Sequence, residues 1–293
     1  MSILPFDDRD GFIWLNGELR EWRSSNLHIL THALHYGSAV FEGERVYNKK
    51  VYKLAEHTDR LFYSAEVLDI KIPFTKEEIN EATYLAISAN SIEDGYVRPI
   101  VWRGSDMMGV SGKGTKANVA IAVWPWPSYF SPESKMNGIK LDISKWRRPS
   151  PETAPVFAKA AGLYMICTLS HHDAQQKGLD DSLLLDWRGR VAEATGANIF
   201  FTINGEIHTP EPDCFLDGIT RRTVIELAKS NNYKVIERII MPEEMADADE
   251  CFLTGTAAEV TPVGSIANYN FKPAEITESL ITAYDIEVGK TKD

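Results

Sequence analysis

The run Ile199-Phe200-Phe201-Thr202-Ile203-Asn204-Gly205-Glu206-Ile207-His208-Thr209 decides the fold class. β-Branched and aromatic residues lead into Asn-Gly, the pair a type I′ turn asks for because both positions need positive φ, so the run reads as a β-hairpin. Residues 220–231 follow as a helix with Val224, Leu227 and Ala228 on one face, and residues 233–240 alternate as a strand. Upstream, 182–186 and 139–143 are strand-like, and 160–178 reads as a helix ended by Gly178. Downstream, 243–248 is short and helical and 250–254 is a strand. The N-terminal half repeats the mixture. Phe12-Ile13-Trp14-Leu15, Asn16-Gly17 and Glu18-Leu19-Arg20 form one hairpin, and residues 46–54 form a second about Asn48-Lys49-Lys50. Residues 57–68 and 76–90 carry helical periods, and 96–102 and 117–124 read as strands. Hairpins and helices interleaved in this way give an α+β fold, not the regular βαβ alternation of a doubly wound sheet.

At roughly 150 residues per domain, 293 residues predict two domains. Trp124-Pro125-Trp126-Pro127 opens a proline-rich stretch with no regular structure, so we divide the chain into 1–125, a linker at 126–137, and 138–293. Hydrophobic residues at 44% and charged residues at 25% exclude a mainly disordered chain. A net charge of −11 argues against nucleic acid as a partner, because phosphate binding needs a basic footprint. The densest basic run, Lys145-Trp146-Arg147-Arg148, reads as solvated surface. Three widely spaced cysteines make neither a disulfide framework nor a metal knuckle, and fit a reducing compartment. The first residues lack the basic and apolar regions of a signal peptide, and no apolar run is long enough to span a membrane. A cytoplasmic protein is expected.

Lys159 sits among small and apolar residues in Ala154-Pro155-Val156-Phe157-Ala158-Lys159-Ala160-Ala161-Gly162-Leu163-Tyr164. Desolvation there favours the neutral, nucleophilic amine, while the bland alternative is a lysine that snorkels to water. Phe215-Leu216-Asp217-Gly218-Ile219-Thr220 runs a glycine loop into a helix start, where free N–H groups and the helix dipole suit an anion; the commoner alternative is an ordinary capped helix. Leu253-Thr254-Gly255-Thr256-Ala257-Ala258 ends a strand in residues small enough for a ligand to approach the backbone. Glu193 is a carboxylate among Val, Ala and Gly, which needs a partner if buried; a solvent-facing residue in a turn before a strand fits it equally well. His32 and His35 could share a helix face, but no neighbouring ligand completes a metal shell, so no metal is expected. His171 and His172 read as surface or supporting residues.

Order and spacing join these signals. The stretches are His32-Ala33-Leu34-His35-Tyr36-Gly37-Ser38-Ala39-Val40-Phe41-Glu42-Gly43, Asp59-Arg60-Leu61, Tyr96-Val97-Arg98-Pro99, Met108-Gly109-Val110, Ala158-Lys159-Ala160 with Tyr164, Glu193-Ala194-Thr195-Gly196-Ala197-Asn198, Leu216-Asp217-Gly218-Ile219-Thr220-Arg221 and Gly255-Thr256-Ala257-Ala258-Glu259-Val260-Thr261-Pro262. With them the chain resembles the fold-type IV, class IV pyridoxal-phosphate aminotransferases, most closely the branched-chain amino acid aminotransferases. The resemblance implies a two-domain α+β enzyme. A smaller N-terminal α/β domain and a larger C-terminal domain with a barrel-like sheet would place pyridoxal 5′-phosphate in the interdomain cleft. It also implies transamination between leucine, isoleucine or valine and 2-oxoglutarate, through glutamate and 2-oxo acids, in a homodimer or higher homo-oligomer.

By that resemblance Lys159 joins the cofactor aldehyde and then serves as general base and acid, while Glu193 pairs with the pyridine nitrogen. Tyr164 bonds the ring's phenolic oxygen. Arg60, the backbone of Ile219 and Thr220, and Thr256 hold the phosphate, and Asn198, Leu216 and Gly218 complete the cofactor site. Thr256, Ala257 and Ala258 form the carboxylate-binding turn, helped by Tyr96 and Arg98. Phe41, Trp126, Tyr129 and Tyr164 wall the side-chain pocket, and Tyr36 and Val110 resemble residues supplied by the neighbouring subunit. The same pocket must take glutamate's γ-carboxylate, for which Tyr36, Tyr129 and Arg98 are the candidate donors. Glu44 departs from the family, which usually has an apolar residue there; it would pair with Arg45 or shift substrate preference. Alternatives on this scaffold are a D-amino-acid or (R)-amine transaminase and aminodeoxychorismate lyase; a binding protein without chemistry would have no use for Lys159 and Glu193 together.

Overall fold

A computed structural model describes residues 5–126 and 137–290. Tyr129 and most of the 126–137 linker therefore lie outside the described residues. The chain splits into two compact units, Met1–Pro127 with Ala158–Gly162, and Ser128–Phe157 with Leu163–Asp293.

The first unit is built on a 7-stranded sheet. Its strands are β1 (Phe12–Leu15), β2 (Glu18–Glu21), β3 (Ala39–Phe41), β4 (Glu44–Tyr47), β5 (Lys50–Val51), β6 (Gly95–Arg103) and β7 (Ala117–Pro125), in the order β2-β1-β7-β6-β4-β5 with β3 also on β6. Asn16 and Gly17 take φ of 51° and 103°, as the turn between β1 and β2 requires. The second hairpin is tighter than the sequence suggests. Tyr47 pairs with Lys50 across Asn48-Lys49, and the strand stops at Val51 because the helix Leu54–Val67 begins there. That helix and Lys76–Ala89 cover the sheet, burying Leu61, Ala65, Ile79 and Ala86 on Val46, Val97, Val119 and Ile121. The second helix opens with a full capping box between Thr75 and Glu78.

The second unit carries a 9-stranded sheet: β8 (Ile139–Arg148), β9 (Asp181–Asp186), β10 (Val191–Ala194), β11 (Asn198–Ile203), β12 (Glu206–Pro210), β13 (Val235–Arg238), β14 (Glu250–Gly255), β15 (Glu259–Ile266) and β16 (Tyr269–Asn270). The order β10-β9-β8-β15-β14-β11 closes on itself through the β10–β11 pair, which makes a barrel-like sheet. Ile139, Leu141, Leu183, Ile199, Phe201, Leu253 and Val263 fill it. The helices Met165–Gln176 and Ile219–Ser230 are crossovers between the parallel pairs β8–β9 and β12–β13. The fold is thus α+β.

The helix expected from residue 160 starts only at Met165, after a 3-10 turn at Ala161–Tyr164. Residues 159 and 160 are engaged elsewhere: Phe41 N donates to Lys159 O at 3.1 Å, and Ala160 bridges Val40. In place of the helix expected at 243–248 stands a 3-10 turn, Pro242–Asp247, and the strand at 233–240 shortens to β13.

Candidate active site

Lys159 is pinned by its backbone in the first unit. Its carbonyl takes the Phe41 N–H, and its own N–H donates to Ser64 Oγ at 3.0 Å, on a serine fully buried in the helix Leu54–Val67. Its half-buried side chain brings Nζ to 5.1 Å from the Phe41 ring centre. The Arg98 guanidinium lies 4.8 Å from the same ring and donates to Tyr96 Oη at 3.3 Å. Tyr96 in turn packs 5.3 Å from Trp126. The structure thus joins Lys159, Phe41, Arg98, Tyr96 and Trp126 into one aromatic and cationic cluster. Gly43 is obligatory beside it, since a Cβ would fall 1.8 Å from Tyr96 Oη.

Arg60 stands one turn before Ser64 and is oriented by a carboxylate that sequence reasoning missed. Glu42, fully buried, accepts from Arg60 Nε at 2.7 Å and Nη2 at 2.9 Å, and its Oε2 lies 2.8 Å from His57 Nδ1. Burial, the largest single influence, would raise the Glu42 carboxyl, but the Arg60 charge and the hydrogen bonds from Arg60 and His57 together outweigh it and hold the group far below the usual range. Burial lowers His57, against the pull of Glu42. The strand pleat turns Glu44 and Arg45 to opposite faces. Arg45 lies over the Tyr47 ring at 5.0 Å, while Glu44 feels Glu42 and Arg60, so the expected Glu44–Arg45 pair is not the arrangement found. Burial first, then the charge of Glu42, push Glu44 well above its ordinary value.

Tyr36 and Val110 are brought to one neighbourhood by His32, whose ring nitrogens lie 2.6 Å from Ser38 Oγ and 2.8 Å from Gly109 O. The His32 and Tyr36 rings are 4.7 Å apart. His35 Nε2 is 2.9 Å from Ile29 O, so both histidines tie loops together. Tyr36 is 45% and Val110 82% exposed.

In the second unit Glu193 sits opposite Asn198 across β10 and β11. Arg148 Nε lies 3.3 Å from Glu193 Oε1. Arg148 is buried, a correction to the reading of its basic run as surface; Lys145, Trp146 and Arg147 are exposed as expected. Burial and the Glu193 charge push the neighbouring Cys167 thiol up to about 12. Asn198 Nδ2 donates to Leu216 O at 3.0 Å, and a Cβ on Gly218 would lie 2.2 Å from Asn198 Oδ1. Asn198 and Gly218 thereby fix the loop that starts the helix Ile219–Ser230, where Ile219 and Thr220 present backbone N–H groups. Below them, buried Arg221 donates to Asp217 and to Glu237 at 2.8 and 2.7 Å. Residues 256–258 form the half-buried turn between β14 and β15, and a Cβ on Gly255 would touch Gly196 O at 3.2 Å. Tyr164, half-buried, ends the 3-10 turn before Met165.

The chain is similar to known proteins over most of its length. The family model for class IV amino-transferases matches residues 39–266. The branched-chain-amino-acid aminotransferase of Pseudomonas aeruginosa is 42% identical over 293 residues, covering 97% of this chain and 95% of that one. Among solved structures, the T.th. branched-chain amino acid aminotransferase with pyridoxamine 5′-phosphate is similar at a TM-score of 0.93 and 36% identity, covering 97% of this chain and 96% of that one. The same enzyme complexed with N-(5′-phosphopyridoxyl)-L-glutamate gives 0.91 at the same identity and coverage. By the match to the family model, with relatives alike over nearly their whole length, the chain belongs to the class IV amino-transferases.

Proposed function

We propose that the chain transfers amino groups between branched-chain L-amino acids and 2-oxoglutarate, with pyridoxal 5′-phosphate as its cofactor and Lys159 as its catalytic residue. The observation that carries this reading is the amine of Lys159, half-buried against Phe41 on a backbone held at both its N–H and its carbonyl.

The residues suit the cofactor. Gly218 leaves a space that a Cβ would fill, next to helix N–H groups fit for a phosphate, and Arg60 brings a guanidinium fork already oriented by Glu42. Glu193 offers a carboxylate to a ring nitrogen, with Arg148 paired behind it. When bound, pyridoxal 5′-phosphate supplies the aldehyde that takes up the amino group and the ring that draws electrons from Cα. Lys159 Nζ removes the proton from the substrate Cα as base and returns a proton as acid. Tyr164 bonds the phenolic oxygen; Arg60, the N–H groups of Ile219 and Thr220, and Thr256 hold the phosphate; Asn198, Leu216 and Gly218 shape the loop. Thr256, Ala257 and Ala258 receive the α-carboxylate, helped by Tyr96 and Arg98. Phe41, Trp126, Tyr129 and Tyr164 wall the apolar side chain, and Tyr36, Tyr129 and Arg98 give a γ-carboxylate its donors, without which its burial would be costly. Tyr36 and Val110 belong to a partner's pocket in this reading, and their exposure is what supports a homodimer. Three buried, unpaired cysteines support a cytoplasmic setting. No helix among the described residues is long and apolar enough to cross a membrane. The division into 1–125, a linker at 126–137 and a cofactor-binding domain at 138–293 belongs to the same proposal.

Borohydride reduction of the yellow protein should fix the cofactor on Lys159, and Lys159→Ala should lower leucine turnover by on the order of 10⁴-fold. Wild-type turnover in Lys159→Ala would refute the assignment. Half-reactions should rank L-leucine far above D-alanine and an (R)-amine; the reverse order would move the chain to another substrate class on the same scaffold.

A further inference from the structure

The turn at residues 256–258 is joined at its far side to a lysine outside every motif of the family. Glu259, where β15 leaves the turn, has a φ of 57° and is buried. That is a left-handed conformation, which a residue with a Cβ keeps only when its surroundings impose it. Both carboxylate oxygens of Glu259 accept from Lys290 Nζ at 2.6 Å, and Lys290 also donates to Asp285 Oδ1 at 3.2 Å. The backbone of Lys290 is set in advance: its N–H donates to Asp285 O at 2.8 Å, after Gly289 turns the chain with a φ of 75° at the end of the helix Glu275–Glu287. Between β15 and this helix lies a cavity of about 450 Å³ lined by Glu259, Val260, Pro262, Ile281, Tyr284 and Asp285. The lysine bridges two of the carboxylates that line this pocket, Glu259 and Asp285. On the turn's other side, Thr261 Oγ1 donates to Ala258 O at 2.6 Å.

We infer that Lys290 and Glu259 are positioning residues that hold the 256–258 turn in the shape that receives the α-carboxylate common to every amino-acid and 2-oxo-acid substrate. The inference rests on the proposed role of that turn. The ion pair touches no reacting atom, so its loss acts on binding and leaves the chemical step alone. Because all substrates share the α-carboxylate, the loss is the same for donor and acceptor.

Lys290→Met tests this in the holoenzyme. KM for L-leucine and for 2-oxoglutarate should each rise about fivefold, with kcat within twofold of wild type. Direct titration with 4-methylpentanoate, a branched carboxylate without the amino group, should show the same loss of affinity, and Lys290→Arg should restore most of it. A KM within twofold of wild type would overturn the inference even if the Tm fell, since the pair would then serve stability alone. A rise for only one of the two substrates would overturn it as well. Wild-type protein that fails to transaminate leucine would refute the proposed function instead, and the two failures are distinguishable.

Discussion

Glu44 gives the sharpest test of the electrostatics around Arg60. Its side chain is 1% exposed and its Oε2 has no hydrogen-bond partner among the described residues, while Glu42 holds the ionised state beside it. Burial and that like charge raise its pKa in the folded protein well above 4.5, its ordinary value and the one expected in the unfolded chain. The sign follows from proton counting. Above pH 4.5 the unfolded chain releases this proton while the folded protein keeps it, so stability falls as the pH rises, until the folded pKa is reached. Each pH unit in that window costs about 1.4 kcal/mol. Glu44→Gln removes this titration and leaves the others in place. Urea unfolding of the holoprotein at fixed protein and cofactor concentrations, run in half-unit steps from pH 5 to pH 9, should show wild type losing ground to Glu44→Gln along that slope. The pH at which the difference levels off gives the folded pKa. Any fixed cost of the glutamine amide shifts the curve without tilting it. Glu44→Ile, which removes the unpartnered oxygen altogether, should be more stable than wild type at pH 7 by about 1–3 kcal/mol. Parallel curves for wild type and Glu44→Gln would mean that Glu44 is already ionised in the fold, and the reasoning would fail.

Three further outcomes are expected. Glu250 caps the helix Glu275–Glu287 from a distant strand, accepting from the N–H groups of Ala274 and Thr277 at 2.9 Å and of Ile276 at 3.3 Å; Glu250→Ala should cost about 2–3 kcal/mol in urea unfolding, and Glu250→Gln less. Gly218→Ala would drive a Cβ into Asn198 Oδ1, so cofactor affinity measured by fluorescence titration should fall about tenfold, with retained affinity arguing against the crowded loop. Burial pushes the Cys167 and Cys214 thiols up to about 12 and Cys251 well above its ordinary value, so a thiol-disulfide reagent at pH 8 should react slowly with native protein and with all three thiols once it is unfolded.

What was legible in the sequence, and what was not, divides along a physical line. The turns at Asn16-Gly17 and Asn204-Gly205 could be read directly, because positive φ is a local demand that few residues meet. The helices at 54–67, 76–89 and 219–230 were legible from their periods for the same local reason. β15 was not, because Pro262 and Gly264 break its pattern; its place is fixed instead by pairing with β14 and β8. The late start of the helix at Met165 was hidden too, since the competing claim on residues 159 and 160 comes from β3, more than a hundred positions away. The candidate site divides in the same way. Lys159, Gly218 and the 255–258 turn carry their signal in their immediate neighbours, where small residues leave room for a ligand. Glu42, His57 and Arg148 carry none, because a buried charge is tolerated only through a partner that topology delivers: Arg60 for Glu42 and Glu193 for Arg148. Arg148 shows the difficulty most plainly. Its neighbours Lys145, Trp146 and Arg147 are exposed, and nothing local distinguishes the one cation in that run that is buried against a carboxylate. Motif spacing therefore finds Arg60 and Glu193 but not the buried charges Glu42 and Arg148 that compensate them. The pairs formed by Lys290 with Glu259 and by Arg60 with Glu42 emerge only when the burial of each charge is followed to what compensates it.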